Sequence, residues 1–237
     1  MIRSILPPPR SMSLDTVSWK WSTTGAFTVK STYDRLTVNN TGESFSRIWK
    51  AKLPYKIKIF LWLVENGAIL TKDNMVKRGW QGDPSCRFCE NIETIQHLFF
   101  ECSLARVVWS IVAIPLKANN IPTSLRQYWN WCREWTHTSP PMHAFVLTAI
   151  CWAIWKARNK ASFEFKWLKH PAEIICHACS FLKFWTGLHK EEFQAQIRDG
   201  VDVLLSVACQ MIANQRQDLP RLLPPPTGDH SGDQELE

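Results

Sequence analysis

Apolar residues fall into two regimes along this chain. Before position 102 they come in short, interrupted stretches; after it they come in long helical stripes. Ile57, Phe60, Leu61 and Val64 recur at the i, i+3, i+4, i+7 spacing of one helix face. Pro54 suits the first helical position and Gly67 suits a stop, so a helix is expected between them. Thr71 then caps a shorter helix that ends by Gly79. Beyond Cys102 the pattern predicts helices over 103–112, 123–135, 142–160, 171–188 and 190–214. The stretch 142–155 is apolar almost all round and belongs in a core. Its longest apolar run, Ala144 to Trp155, has 12 residues and is interrupted by Thr148. That is short of the roughly 20 residues of a membrane span. Near the start, Val17 to Trp21 and Ala26 to Val29 read as two strands joined through Thr23, Thr24 and Gly25, a β-hairpin. Ser31 with Asp34 then opens a short helix through Leu36. The fold class expected is mainly α with a small N-terminal β-hairpin.

Between the two regimes lies the feature that carries specific chemistry. Cys86, Cys89, His97 and Cys102 form a C-x2-C-x7-H-x4-C cluster within 17 residues. Two cysteines three apart can place both thiolates on one ion across a tight turn. A histidine and a third cysteine complete the four-coordinate S/N shell that structural Zn²⁺ sites use. Thr94 is expected to cap a helix carrying His97 toward Cys102. A filled shell of this kind leaves no position for an activated water, so the role expected of the metal is structural. Cys176 and Cys179 make a second C-x2-C with His177 between them. Ile174, Ile175, Leu182 and Trp185 surround it with a helical apolar pattern, so packed thiols are the reading there, as for Cys132, Cys151 and Cys209.

Charge adds a second candidate. The net charge is +7, and the segment from Asp218 onward carries −4, leaving +11 on the preceding residues. Between 46 and 81 stand Arg47, Lys50, Lys52, Lys56, Lys58, Lys72, Lys77 and Arg78 against Glu65 and Asp73. A charge run alone is more often a solvated helix face; beside a zinc cluster it suits a polyanion about equally well. Trp80 follows Lys77, Arg78 and Gly79 directly. It either stacks on an unpaired base while the cations hold phosphates, or packs under the zinc loop. Trp49, Trp62, Trp109, Trp152 and Trp155 occupy apolar periodic positions and are expected in the core. Lys156, Arg158 and Lys160 gather at the end of the 142–160 helix, where cations complement the dipole. Pro7, Pro8 and Pro9 break the apolar start, which has no signal-peptide h-region. The eight cysteines are therefore expected reduced, in an intracellular compartment that is nuclear or cytoplasmic.

Several of these strings together resemble one family. The run from Trp21 through Gly25 and Phe27 to Tyr33, the pair Ile48 and Trp49, and the stretch Leu53 to Trp62 are similar to the plant reverse-transcriptase zinc-binding domain. Leu70 with Thr71, Lys77 to Gly79, Cys86 to Cys89, Glu93 to Cys102 and Trp109 continue the likeness over residues 15–112. The resemblance implies a zinc-bound accessory module of a non-LTR retrotransposon polyprotein, downstream of the polymerase and often followed by an RNase H-like domain. Cys151 to Asn159 is similar to the linker that trails such modules. The chain departs from the polyprotein in having no Asp-Asp pair for polymerase metals. Beyond Asn159 it offers only Asp199, Asp202 and scattered glutamates (Glu164, Glu173, Glu191, Glu192) before the acidic tail.

The expectation is thus a non-enzymatic module with Zn²⁺ on Cys86, Cys89, His97 and Cys102. Its nucleic-acid contacts are Lys56, Lys58, Lys72, Lys77, Arg78 and Trp80, with RNA ahead of duplex DNA as partner and no membrane. A reverse-transcriptase polymerase domain is a further possible partner. Docking alone, or a relic reading frame without selected function, stands as the alternative. The division expected is a disordered 1–14, a zinc-binding domain over 15–112, a helical region over 113–215 and a disordered acidic tail over 216–237.

Overall fold

The computed structural model describes residues 18–32 and 42–218. The chain divides into two compact units, 1–46 and 47–237.

In the first unit the expected hairpin is replaced by a turn. Trp19 N–H donates to Gly25 O across 2.7 Å, and Trp19 meets Trp21 and Phe27 edge-on, each with centroids 4.9 Å away. Gly25 sits at φ +70°, where a Cβ would lie 2.7 Å from Ser18 Oγ, so the turn requires glycine. After the turn the chain becomes helical at 29–32 instead of extended. Thr28 accounts for that switch, because its Oγ1 accepts from Ser31 N–H at 3.0 Å. Short hydroxyl side chains capture backbone donors in this way and divert them from a strand ladder. Thr28 therefore caps three residues ahead of the expected Ser31. Val17 and the remainder of the expected helix through Leu36 lie outside the described residues. Among the described residues there is no strand, only an isolated antiparallel bridge between Ser85 and Ile92.

Helix α1 spans Gly42–Lys50. Helix α2, Tyr55–Glu65, begins behind Pro54 and buries Ile57, Phe60, Leu61 and Val64, the face its spacing predicts. Gly67, at φ +68°, ends it, and Ala68 N–H returns to Leu63 O at 2.8 Å. Helix α3 is Lys72–Lys77. The segment His97–Glu101 is a π-turn that runs directly into α4, Ser103–Leu116. Helix α5, Leu125–Trp135, is capped by Ser124 Oγ, which accepts from Gln127 N–H. Helix α6, Pro140–Phe163, is buried on nearly all sides. Helices α7, Ala172–Trp185, and α8, Glu191–Asp218, complete the order. Helix α7 packs on both α6 and α8, and α8 contributes Ile197, Val201, Leu204 and Ala208 from one face. Its backbone continues as helix into 216–218, which the sequence reading assigned to a tail; the rest of that tail and residues 1–14 lie outside the described residues.

The core of the second unit is continuous from Ile48 to Ala208. No break in packing falls at the expected boundary of 112. Trp109 shows why. Its ring is fully buried, parallel to Phe100 at 5.6 Å and close to Tyr128 at 5.4 Å. Its Nε1–H donates to Phe99 O at 2.7 Å. One indole thus ties the segment of the cysteine cluster to the helices after it. Trp152 and Trp155 pack partly buried against the same core, whereas Trp49 and Trp62 are exposed by 42% and 36%. Those two were expected inside and are corrected. Among the described residues no helix is long and apolar enough to cross a membrane.

Candidate metal centre

The four ligand residues reach one point from two directions. The first two ride on a tight loop closed by the Ser85–Ile92 bridge, with Cys86 N–H donating to Asn91 O at 2.7 Å and Glu93 N–H to Pro84 O at 2.9 Å. Phe88 N–H points at Cys86 Sγ, 3.4 Å away. The other two come from the π-turn. Thr94 Oγ1 accepts from His97 N–H at 3.0 Å, as its capping role predicted. The helix it opens is wound differently from the expectation: Cys102 N–H donates to His97 O at 2.7 Å, an i→i+5 bond. In α geometry, residues five apart diverge by about 140° around the axis. The wider π-turn brings Cys102 back to the side of His97.

The four donor atoms lie within 4.8 Å of one another. Cys86 Sγ and Cys102 Sγ are 3.8 Å apart, Cys89 Sγ and Cys102 Sγ 3.9 Å, and Cys89 Sγ and His97 Nε2 3.1 Å. A regular tetrahedron with Zn–S near 2.3 Å has S···S edges of about 3.8 Å, so the sulfur spacing fits zinc. All three thiols are free of disulfides. As thiolates, three sulfurs this close repel one another, and a divalent cation offsets that charge. The hydrogen bond that the Cys86 thiol gives to Cys102, and then burial, push Cys86 up, while the same hydrogen bond pulls Cys102 down. Among the described residues this is the one group of metal-ligating side chains so placed.

Residues 27–109 match the family described as zinc-binding in reverse transcriptase. The cofactor of the centre is Zn²⁺. Over 101 residues, 40% of its length, the chain is 34% identical to an Arabidopsis thaliana protein named as a ribonuclease H protein, and it covers 16% of that protein. No solved structure matches the chain.

A polar network that the ligand spacing does not reveal supports the zinc loop. Glu93 is fully buried, and its carboxylate accepts from Arg158 Nε at 3.0 Å and from the Lys72 backbone N–H at 3.0 Å. Arg158, on α6 and 65 residues away, is 2% exposed and lies over the Trp155 ring at 5.0 Å. Sequence reasoning set Arg158 beside Lys156 and Lys160 as a helix-end cation. The missed signal was Glu93, an acid with no local partner between two ligands.

The expected nucleic-acid residues divide. Lys56, Lys77 and Arg78 are exposed, with Lys77 paired to Asp73 at 2.9 Å. Lys58 is half-buried and donates to Trp49 O at 2.9 Å; burial, then neighbouring Lys52, push its pKa below the ordinary lysine value. Lys72 is 7% exposed and donates to Ser85 O, with Asp83 at 4.0 Å. It braces the base of the zinc loop and is removed from the phosphate contacts. Trp80 is 40% exposed, and its ring lies across Gly82, where an added Cβ would come within 1.9 Å of it. The ring is thus partly covered by the chain two residues on and partly open to solvent. At the second C-x2-C, Cys179 is buried and Cys176 half-buried, as packed thiols. Cys132 and Cys151 are buried too, but Cys209 is exposed, against expectation.

Proposed function

We propose that this chain is a retrotransposon-derived accessory module that uses zinc to hold a single-strand nucleic-acid surface, with no catalytic activity of its own. The observation that carries this reading is that Arg78 and Trp80, two residues apart and a few residues before the zinc loop, are both exposed. Guanidinium and ammonium groups hold phosphates, and an exposed indole accepts an unpaired base. Lys56, Lys77 and, through its partly buried ammonium, Lys58 extend the positive surface. A stacking platform favours strands with unpaired bases, so RNA is placed ahead of duplex DNA. The ribonuclease H name of the Arabidopsis relative supports an RNA setting.

Anisotropy with a labelled single-stranded RNA and a duplex DNA of the same sequence tests this. The RNA is expected to bind more tightly, with affinity falling linearly on a log–log salt plot. Equal affinity for the two, or binding indifferent to salt, counts against it.

A docking reading has its own observation. Tyr55, Ile59 and Trp62 present one exposed stripe of α2 at i, i+4, i+7, with Trp49 6.2 Å from Tyr55. A polymerase domain is the partner this face suits. Light scattering across a concentration series and with an added polymerase domain separates the two readings.

A further inference from the structure

A second basic and aromatic site lies outside the matched segment. A cavity of about 150 Å³ between α6, the following loop and α7 is lined by Lys156, Lys160, Lys166, Trp167, Glu173 and His177, among others. Leaving His177 aside, these residues carry two net positive charges. Lys156 and Lys160 stand four apart on the last turns of α6 and so share a face. The chain then reverses through Phe165, at φ +53°, and Lys166 N–H donates back to Lys160 O at 3.2 Å. That turn brings Lys166 and Trp167 to the same cavity. Trp167 is 55% exposed, and the Arg87 guanidinium lies 5.5 Å from its ring centroid. Arg87 sits between the zinc ligands Cys86 and Cys89, and its Nε is buried without a hydrogen-bond partner.

The chain's own anion shows what these cations do. Glu164, exposed at the end of α6, is 3.0 Å from Lys166 Nζ. Its carboxyl is held below the usual range by the Lys166 hydrogen bond first, then by the charges of Lys166, Lys160 and Lys156. The volume limits the ligand. Small-molecule pockets occupy about 300–1,000 Å³, so this cavity suits one unit of a polymer lying across the surface.

We propose that single-stranded nucleic acid crosses this site, one unpaired base stacking on Trp167 and the adjoining phosphates resting on Lys156, Lys160 and Lys166. The proposal rests on the nucleic-acid reading above but places a principal contact on α6, beside the zinc loop and outside residues 27–109. Arg87 supplies a cation on the Trp167 ring from the loop itself, which ties this site to the metal centre.

The test uses the full zinc-loaded chain and a fluorescein-labelled oligouridine of about 20 nucleotides, long enough to span several stacking sites. Three variants are compared: the triple Lys156→Gln, Lys160→Gln, Lys166→Gln; Trp167→Ala; and Lys77→Gln with Arg78→Gln. The triple variant is expected to bind at least about 10-fold more weakly, with its log–log salt slope reduced by about 2, as three lost single-strand phosphate contacts require. Trp167→Ala is expected to weaken binding by about 5-fold or more, the scale of one base stack. All these side chains are exposed, so zinc content and melting temperature should match the parent. A triple variant with the parent's affinity and slope overturns the site. If only the Lys77 and Arg78 variant loses binding, the nucleic-acid reading stands and this site falls. If the parent fails to bind the oligouridine, both fall. Displacement by uridine monophosphate at equal nucleotide concentration would show a mononucleotide pocket and overturn the polymer assignment.

Discussion

The zinc loop and the helical region after it are stabilised in opposite ways. From Asp83 to Ile92 nearly every side chain is exposed or half-exposed, with Cys86 the buried exception. From Ser103 to Ala208 the chain forms stripe after stripe of core residues around Trp109, Phe145, Ile150 and Leu182. The helices hold themselves by removing apolar surface from water. The loop has little such surface, and its order comes from four ligands on one ion and a few backbone hydrogen bonds. The comparison teaches where each is vulnerable. The loop depends on single atoms, whereas the helical region is spread over dozens of contacts. The Glu93–Arg158 pair joins the two, so the loop also depends on a helix that the family match does not include.

The sharpest way to break the comparison is to remove a ligand. Cys89→Ser should abolish zinc binding and with it an apparent stabilisation on the order of 10 kcal/mol for the loop. Limited proteolysis should then cut between 80 and 95, while circular dichroism keeps most of its helix signal. Global unfolding instead would show that the helices depend on the metal as well.

Next in size is the joint between the regions. Arg158→Met leaves the Glu93 carboxylate buried without its partner, at a cost of about 3–5 kcal/mol, read as a lowered denaturation midpoint together with faster zinc transfer to a chelator. Adding Glu93→Gln removes the orphaned charge and should recover a large part of both losses. Recovery of stability without recovery of zinc retention would separate the joint from the metal centre.

The smallest expected effect lies wholly in the helical region. His143 is 5% exposed, with Nε2 at 2.8 Å from Thr136 Oγ1. Burial, and then the charge of Arg47, lower its pKa. A histidine kept neutral in the fold contributes stability that is full above its unfolded pKa of about 6.5 and is lost as pH falls toward the folded value. His143→Gln should therefore flatten the decline in melting temperature below pH 6.5 measured on the zinc-loaded chain. An unchanged decline would assign it to other groups.

These outcomes bear on how far the sequence reads through to the structure. Helix α2 was legible to its ends because Pro54, the apolar spacing and Gly67 agree with one another. The four ligands were legible because residue type and spacing coincide in one short segment. The N-terminal hairpin was misread: alternating apolar residues suggested strands, but Thr28 captured the backbone donor of Ser31 and turned the chain into a helix. The π-turn was not read from the spacing: an α-helix would carry the two residues of H-x4-C to different sides, and nothing in the residue types says how the backbone rewinds to bring them together. Arg158 and Lys72 looked like surface cations because their partners are distant, Glu93 for one and the Ser85 carbonyl for the other. Trp49 and Trp62 share an apolar pattern with Trp109 but lie on faces that the core does not cover.

The most direct test of the account is X-ray absorption at the zinc edge of the purified chain, with metal stoichiometry measured alongside. One zinc per chain, with three sulfurs at about 2.3 Å and one nitrogen at about 2.0–2.1 Å, is the predicted result. Fewer than three sulfurs in the shell, an oxygen in place of the imidazole, or a chain purified without zinc that gains none on addition would contradict it.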